Sequence, residues 1–339
     1  MRIRGVTYDT GFINNGVTTK ELFDETTIAR EMEIIKDHLH CNAVRITGGD
    51  ADRLEKTAIL AASAGLEVWY CPFTCDLDIQ ELQNFLLDAA TRAEKIRASG
   101  ASIVFLTGSE ISLTTKGFFS GDSFNDRVAS LKDPLQLRTK MPSMRAAIAD
   151  FFNRTIPLIR ERFHGKISYA SLPFESVDWS LFDIIATDGA YKTAANAAIY
   201  EQAMINFASQ GKPAAITEFG CGSYERAAAN AGQGIWMVEW KDGRPIQLKE
   251  PLKRDEGEQV RYMLESLETF QKANMDAVFL TCFASYHLPF REDPLLDLDM
   301  TSYGIVKVYD DRQGLRFPDM RWDPKESFDA VASAFKNLE

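Results

Sequence analysis

The sequence predicts a (β/α)8 barrel, and three observations carry that expectation. Apolar strand-like runs and amphipathic helical stretches alternate eight times along the chain, with no two strands in direct succession. The strand-like runs are short and almost continuously apolar, the pattern of strands buried on both faces of a parallel sheet. The 339 residues suit such a barrel with long loops as one unit, 1–339.

The first strand is expected at 3–9, directly after the start. Ile28, Met32, Ile35 and Leu39 then recur at helical spacing, with Thr26 and Thr27 as candidate caps. Strand two is 42–47, and Asp50 is placed to cap a helix over 51–63 that stops at Gly65. Strand three, 66–73, contains Trp69, read as barrel packing; a helix over 79–99 ends at Gly100. Strand four is 102–107. The stretch 111–142 is expected to be a long loop, with Phe118, Phe119 and Phe124 as its aromatic content.

A helix over 143–163, strand five at 166–172, a short helical piece at 177–181 and strand six at 183–187 follow. Next come a helix over 194–209 and strand seven within KPAAITEFGCG, 212–222. The insertion 223–253, a helix over 255–272, strand eight at 277–283 and an excursion over 284–321 lead to a last helix over 324–335. Pro324 suits its first turn and Asp323 its cap. Long loops therefore follow strands four, seven and eight.

Composition narrows the function class. Hydrophobic residues at 45% and charged residues at 26% are ordinary for a globular enzyme. A net charge of −11 argues against nucleic acid or an anionic membrane as partner. No run reaches the ~18 apolar residues of a membrane span, and the N-terminus lacks the apolar segment of a secretory signal. Cys41, Cys71, Cys75, Cys221 and Cys282 show no CxxC spacing and read as reduced thiols of a cytoplasmic protein. Four histidines without metal-ligand spacing give no metal centre, and DPLLDLDM at 293–300 lacks the glycine and glutamate of a calcium loop. No cofactor is expected, since no strand is followed by GxGxxG or GxxxxGK[ST].

In a barrel the residues just past each strand converge on one face. Here they are Tyr8, Asp9, Arg45, Glu110, Glu175, Asp188, Tyr191, Glu218, Phe283, Tyr286 and His287. The set is rich in carboxylates and aromatics, holds one well-placed cation, and GSE at 108–110 lacks the GxSxG form of a serine nucleophile. Two carboxyl groups flanking a scissile bond, with aromatic rings to stack on sugars, fit glycoside chemistry. The expected partner is a small-molecule or oligosaccharide substrate; the oligomeric state is not written in the sequence.

The ITEFG segment at 216–220, together with Glu110 after strand four, resembles the retaining barrel glycoside hydrolases of clan A. The resemblance implies Glu110 as acid/base and Glu218 as nucleophile. It extends to Arg45 in AVRITG, to an aromatic after strand eight (Phe283), and to Tyr191 as the tyrosine that contacts the nucleophile. The clan usually has Asn before the acid/base and Trp after strand eight; this chain has Ser109 and Phe283. As a whole the chain also resembles bacterial barrel proteins labelled "abortive infection protein". The matching segments are GVTYDTG, HCNAVRITG, LEVWYCP, FLTGSEISL, YASLPFESVDW, ITEFGCGSY and DLDMTSYGIVKV. That label carries no chemistry.

Glu175 and Asp188 read as groups for substrate hydroxyls or as partners of Arg45. Tyr8, Asp9, Tyr286 and His287 read as hydrogen-bonding groups of the site. The competing reading is a non-hydrolytic barrel, with solvated or ion-paired carboxylates, that binds a carbohydrate or a protein. A lyase, isomerase or transglycosylase using the same carboxylates is the other alternative.

Overall fold

The computed structural model describes residues 1–131 and 134–338, apart from the side chains of 134–137. Eight parallel strands form its centre: β1 (Ile3–Asp9), β2 (Ala43–Gly48), β3 (Glu67–Pro72), β4 (Ile103–Ser109), β5 (Lys166–Ala170), β6 (Ile185–Thr187), β7 (Ala214–Phe219) and β8 (Ala277–Leu280). Their order around the sheet is β5-β4-β3-β2-β1-β8-β7-β6. The seam between β5 and β6 is held by a bridge from Ser171 to Thr187 and by Asp188 N–H donating to Ser171 O at 2.9 Å. The barrel is thereby nearly closed.

Seven helices surround it: α1 (Glu25–Asp37), α2 (Ala51–Ser63), α3 (Ile79–Ala98), α4 (Pro134–Arg160), α5 (Tyr200–Ala208), α6 (Glu256–Lys272) and α7 (Glu326–Lys336). Between β5 and β6 the crossover contracts to a 3-10 turn, Trp179–Leu181.

Strand alternation divides the apolar residues into two layers. Ile3, Val104, Leu106, Ala186, Ala215 and Phe279 point into the barrel around Trp69, whose ring lies 4.8 Å from that of Phe279. Gly5 makes room for this core, because a Cβ there would lie 2.5 Å from the Phe279 ring. The alternate residues pack against the helices. Burial of each large apolar side chain contributes roughly 1.5–3 kcal/mol, so the interior is a packed plug and chemistry is confined to its ends.

Several local expectations are corrected. Helix α1 is capped by Asp24, whose side chain accepts from Thr27 N–H at 2.7 Å, because the threonines already lie inside the first turn. The stretch 111–142 holds a four-residue helical turn, Ile111–Thr114, and a helix, Phe124–Ser130, before α4 begins at Pro134. Pro142 and Pro157 lie within α4 rather than bounding it. Phe118 and Phe119 are core residues, Phe118 packing edge-on against Phe151. Pro324 pairs with Val306 in a short antiparallel ladder, so the last helix starts at Glu326. Asp323 accepts from Leu315 N–H and Arg316 N–H rather than capping α7. Strand β8 stops at Leu280, and α5 begins only at Tyr200.

Candidate active site

Two of the barrel strands carry an extra residue just before their carboxylate. Along β7, Ile216 and Phe219 pair with Val278 and Leu280 of β8, three steps against two. Strict alternation would send Glu218 outward with Ala214 and Ile216. The bulge turns it toward the barrel mouth, and Phe219 packs outward on Phe270. Along β4, Leu106 and Ser109 pair with Ser168 and Ala170 of β5, again three against two.

Glu110 follows in the left-handed region, at φ 51° and ψ 39°. A non-glycine residue there costs of order 1–3 kcal/mol and needs surrounding structure to hold it. The N–H of Glu110 donates to Ala170 O at 3.0 Å, and its carbonyl accepts from Leu113 N–H and Thr114 N–H. Glu175 secures the next two residues. Its carboxylate accepts from Ser112 N–H at 3.1 Å and from Tyr169 OH and Leu172 N–H, each at 2.8 Å. The Tyr169 hydroxyl in turn accepts from Ile111 N–H at 2.9 Å. Glu175 is fully buried, with both oxygens engaged by protein donors, so it braces the Glu110 turn from behind.

Glu110, Asp188 and Glu218 come together. Each offers a carboxylate oxygen, and the three oxygens lie within 4.8 Å of one another. Glu110 and Glu218 are half-buried, while Asp188 is sealed from solvent. Arg45 enters from β2 and donates through Nη2 to Asp188 Oδ2 and Ser109 Oγ, both at 3.0 Å, and through Nη1 to Thr217 O at 2.9 Å. Ser109 Oγ also donates to Asp188 Oδ2 at 2.5 Å. The contact to Glu218 comes from Tyr191, whose hydroxyl donates to Oε1. The insertion 223–253 supports that ring: a Cβ at Gly232 would lie 2.8 Å from it, and Gly234 N–H donates to the hydroxyl of its neighbour Tyr303.

Three carboxylates facing one guanidinium disfavour full ionisation. Burial, then the charges of Glu218, Asp188 and Glu175, hold Glu110 well above the usual carboxylate range. Burial and Asp188 push Glu218 up to about 7, against the opposing pull of Arg45 and the Tyr191 hydrogen bond. Protons on such a pair are shared between its members. The same three oxygens are the set that could hold a cation among the described residues. Arg45 already supplies a positive charge to Asp188 there.

The other predicted site residues divide. Asp9 and His287 stand at the mouth. Asp9 accepts from Gly11 N–H at 2.8 Å and from the Thr19 hydroxyl, and its charge opposes the lowering of the His287 pKa by burial. Trp240 of the insertion packs at 6.4 Å from the His287 ring. Tyr8 and Tyr286 instead donate to Glu31 of α1, which also accepts from Trp322 Nε1 at 2.8 Å and lies 3.8 Å from Lys20 Nζ. Phe283 is buried between Tyr8 and Trp322 as core. Sequence reading passed over Glu31, Lys20 and Trp322. The available signal was a carboxylate on the apolar stripe of α1, between Ile28 and Ile35. A partly exposed aromatic cluster, Phe12 with Phe73 at 4.8 Å and Phe124 at 5.8 Å, lies past β1 and β3.

No family model and no curated protein matches the chain. Solved structures do. A GH113 β-mannanase from Alicyclobacillus acidocaldarius is 16% identical over 99% of this chain and 98% of its own, with a TM-score of 0.59. A β-glucuronidase from Parabacteroides merdae is 16% identical over 99% of this chain and 36% of its own, also with a TM-score of 0.59. A psychrophilic β-glucosidase from Micrococcus antarcticus is 10% identical over 99% and 96%, with a TM-score of 0.53. At these identities the likeness is one of fold, a barrel of the kind glycoside hydrolases use.

Proposed function

We propose that the chain is a retaining glycoside hydrolase, with Glu218 as nucleophile and Glu110 as general acid/base. The observation that carries this reading is that one carboxylate oxygen of Glu218, at the end of β7, lies within 4.8 Å of one of Glu110, just after β4. Retaining pairs stand about 5–5.5 Å apart and inverting pairs roughly 6.5–9.5 Å. Burial and neighbouring carboxylates raise both groups above the usual carboxylate range, which supports a pair that keeps a proton for the leaving group.

In the first step Glu218 Oε attacks the anomeric carbon and the glycosidic C–O bond breaks. The leaving oxygen takes the proton of Glu110. In the second, Glu110, now ionised, removes a proton from water, which attacks the same carbon and releases the Glu218 carboxylate. A second sugar hydroxyl in place of water gives transglycosylation by the same residues.

The neighbours' names cover mannan, glucuronide and glucoside chemistry, so they support glycoside cleavage without selecting a sugar. Ser109 stands in place of the clan's Asn before the acid/base, a departure that supports an unusual glycon. The five free thiols support a cytoplasmic setting. Membership in the bacterial set labelled "abortive infection protein" rests on the seven segments named above.

The test is a panel of aryl glycosides. Glu218→Ala is expected to abolish turnover of any active member. Glu110→Ala should spare the first step with a good leaving group and stall the second, with azide restoring release as a glycosyl azide. Wild-type turnover by the double variant would refute the proposal.

A further inference from the structure

A cavity of about 670 Å³ lies on the barrel face formed by the carboxyl ends of the strands. Three separate excursions form it: the segment after β1, the hairpin within the β7 insertion, and the long stretch after β8. Volumes of ~300–1,000 Å³ are those of small-molecule sites. Its walls include Ile28, Ile246, Pro289, Leu296, Leu298 and Val308.

Most charged groups around it are matched to one another, and Arg321, exposed at the rim, donates to the backbone carbonyl of Asp310. Arg244 pairs with Glu21 and Arg291 with Asp310, while Asp319 pairs with Arg30. Lys20 donates to Tyr8 OH at 2.6 Å and lies near Glu31, and Asp24 caps α1. What remains is an apolar chamber with one polar residue unspent. Neither ring nitrogen of His287 has a hydrogen-bond partner among the described residues, and Nδ1 is fully buried. Burial lowers the pKa of this imidazole, which makes it a neutral hydrogen-bonding group.

We propose that this cavity is a second ligand site, for an uncharged amphipathic molecule whose apolar chain lies between Leu296, Leu298 and Ile246 and whose hydroxylated end meets His287. Among the described residues the cations of the lining other than Arg321 face carboxylates, and Arg321 lies exposed at the rim, so the chamber itself offers an anion little. A purely polar sugar would leave the apolar walls wetted. The site goes beyond glycoside cleavage: it shares His287 with the barrel mouth, but no lining residue is one of the two glutamates.

The experiment uses the full chain carrying Glu110→Gln and Glu218→Gln, so that binding is read without turnover. Calorimetry compares n-octyl β-D-glucopyranoside, below its micelle concentration, with methyl β-D-glucopyranoside. The expected result is saturable one-to-one binding of the octyl compound and at least about tenfold weaker binding of the methyl compound. Leu296 and Ile246 both line the cavity and are 40% and 47% exposed, so bulk added there leaves the core undisturbed. Leu296→Trp and Ile246→Trp should each weaken octyl binding at least about tenfold while leaving the thermal midpoint unchanged. His287→Ala should weaken it as well. Failure of the octyl compound to bind, equal binding of the two compounds, or octyl binding untouched by both tryptophans would overturn the proposal. Loss of glycosidase activity in the panel above would leave this result standing.

Discussion

Arg45 gives its Nη2 to Asp188 at 3.0 Å and makes no hydrogen bond to Glu218 among the described residues. The positive charge of the site is thus held by a third carboxylate, Asp188, rather than by Glu218. Asp188 raises the pKa of Glu218 and Arg45 lowers it. Asp188→Asn removes the opposing charge while leaving an acceptor for Arg45. The acidic limb of kcat/KM, set by ionisation of Glu218, should then move to lower pH. The buried guanidinium loses its counterion, and breaking such a pair costs about 3–5 kcal/mol. A pH–rate profile and a thermal melt check both parts.

Tyr191 is the single hydrogen-bond donor to Glu218 among the described side chains. A hydrogen bond to a charged group is worth about 1.5–3 kcal/mol, or roughly ten- to a hundredfold in rate. Tyr191→Phe should lower kcat/KM by that factor. It should also shift the acidic limb to higher pH, opposite in sign to Asp188→Asn, because the bond favours the ionised form. Paired profiles of the two variants provide the check.

Glu110, Glu175 and Glu218 all bind protons more tightly in the folded chain than a carboxyl group does unfolded. Glu175 is pushed up to about 7 by burial, against the donors that hold it. A raised folded pKa contributes stability that is complete below the unfolded value of about 4.3 and is lost as pH rises through the folded one. The contribution of Glu175 and Glu218 therefore declines between about pH 4.3 and 7, and that of Glu110 declines from the same lower bound upward. Replacing Glu110 and Glu218 together by Gln should flatten the wild-type fall in thermal midpoint over that window, as melts at several pH values would record.

Glu31 gathers Tyr8, Tyr286, Trp322 and Lys20 at a fully buried point. Glu31→Gln leaves Lys20 without its counterion, and an unpaired buried charge costs about 3–5 kcal/mol. Urea melts should show that loss, and Trp322 fluorescence should change because its indole N–H loses a charged acceptor. If stability is unchanged, the cluster is not a structural tie.

The architecture was legible because it follows from alternation and apolar runs, which local sequence carries. Trp69 reads as barrel packing, and it is. Glu110 and Glu218 were legible as strand-end carboxylates, since apolar runs stop at them abruptly. The bulges that aim them were not. The extra residue in β7 is defined by its partner strand, β8, and leaves no mark on its own strand, whereas in β4 Gly108, at φ 103°, was the one available sign. Glu175 and Asp188 were legible as carboxylates near the mouth, but the depth at which each is buried depends on Tyr169, Leu172, Arg45 and Ser109, brought in by other strands and loops. Tyr8 and Tyr286 point to Glu31 rather than to the cleft for the same reason: their partner lies on α1. Helix α4 was misplaced because Pro142 reads as a boundary, although a proline removes one backbone donor and a long helix tolerates it.

The most direct measurement is trapping with an activated 2-deoxy-2-fluoro glycoside of whichever sugar the panel selects, followed by peptide mapping of the labelled protein. Fluorine at C2 slows both steps, and the activated leaving group lets the first outrun the second. The account predicts one glycosyl unit per chain, esterified to Glu218 in the segment 213–222, and absent from Glu218→Ala. A label on Glu110 or Asp188, or a substrate that wild type hydrolyses with inversion and without any trapped ester, would contradict it.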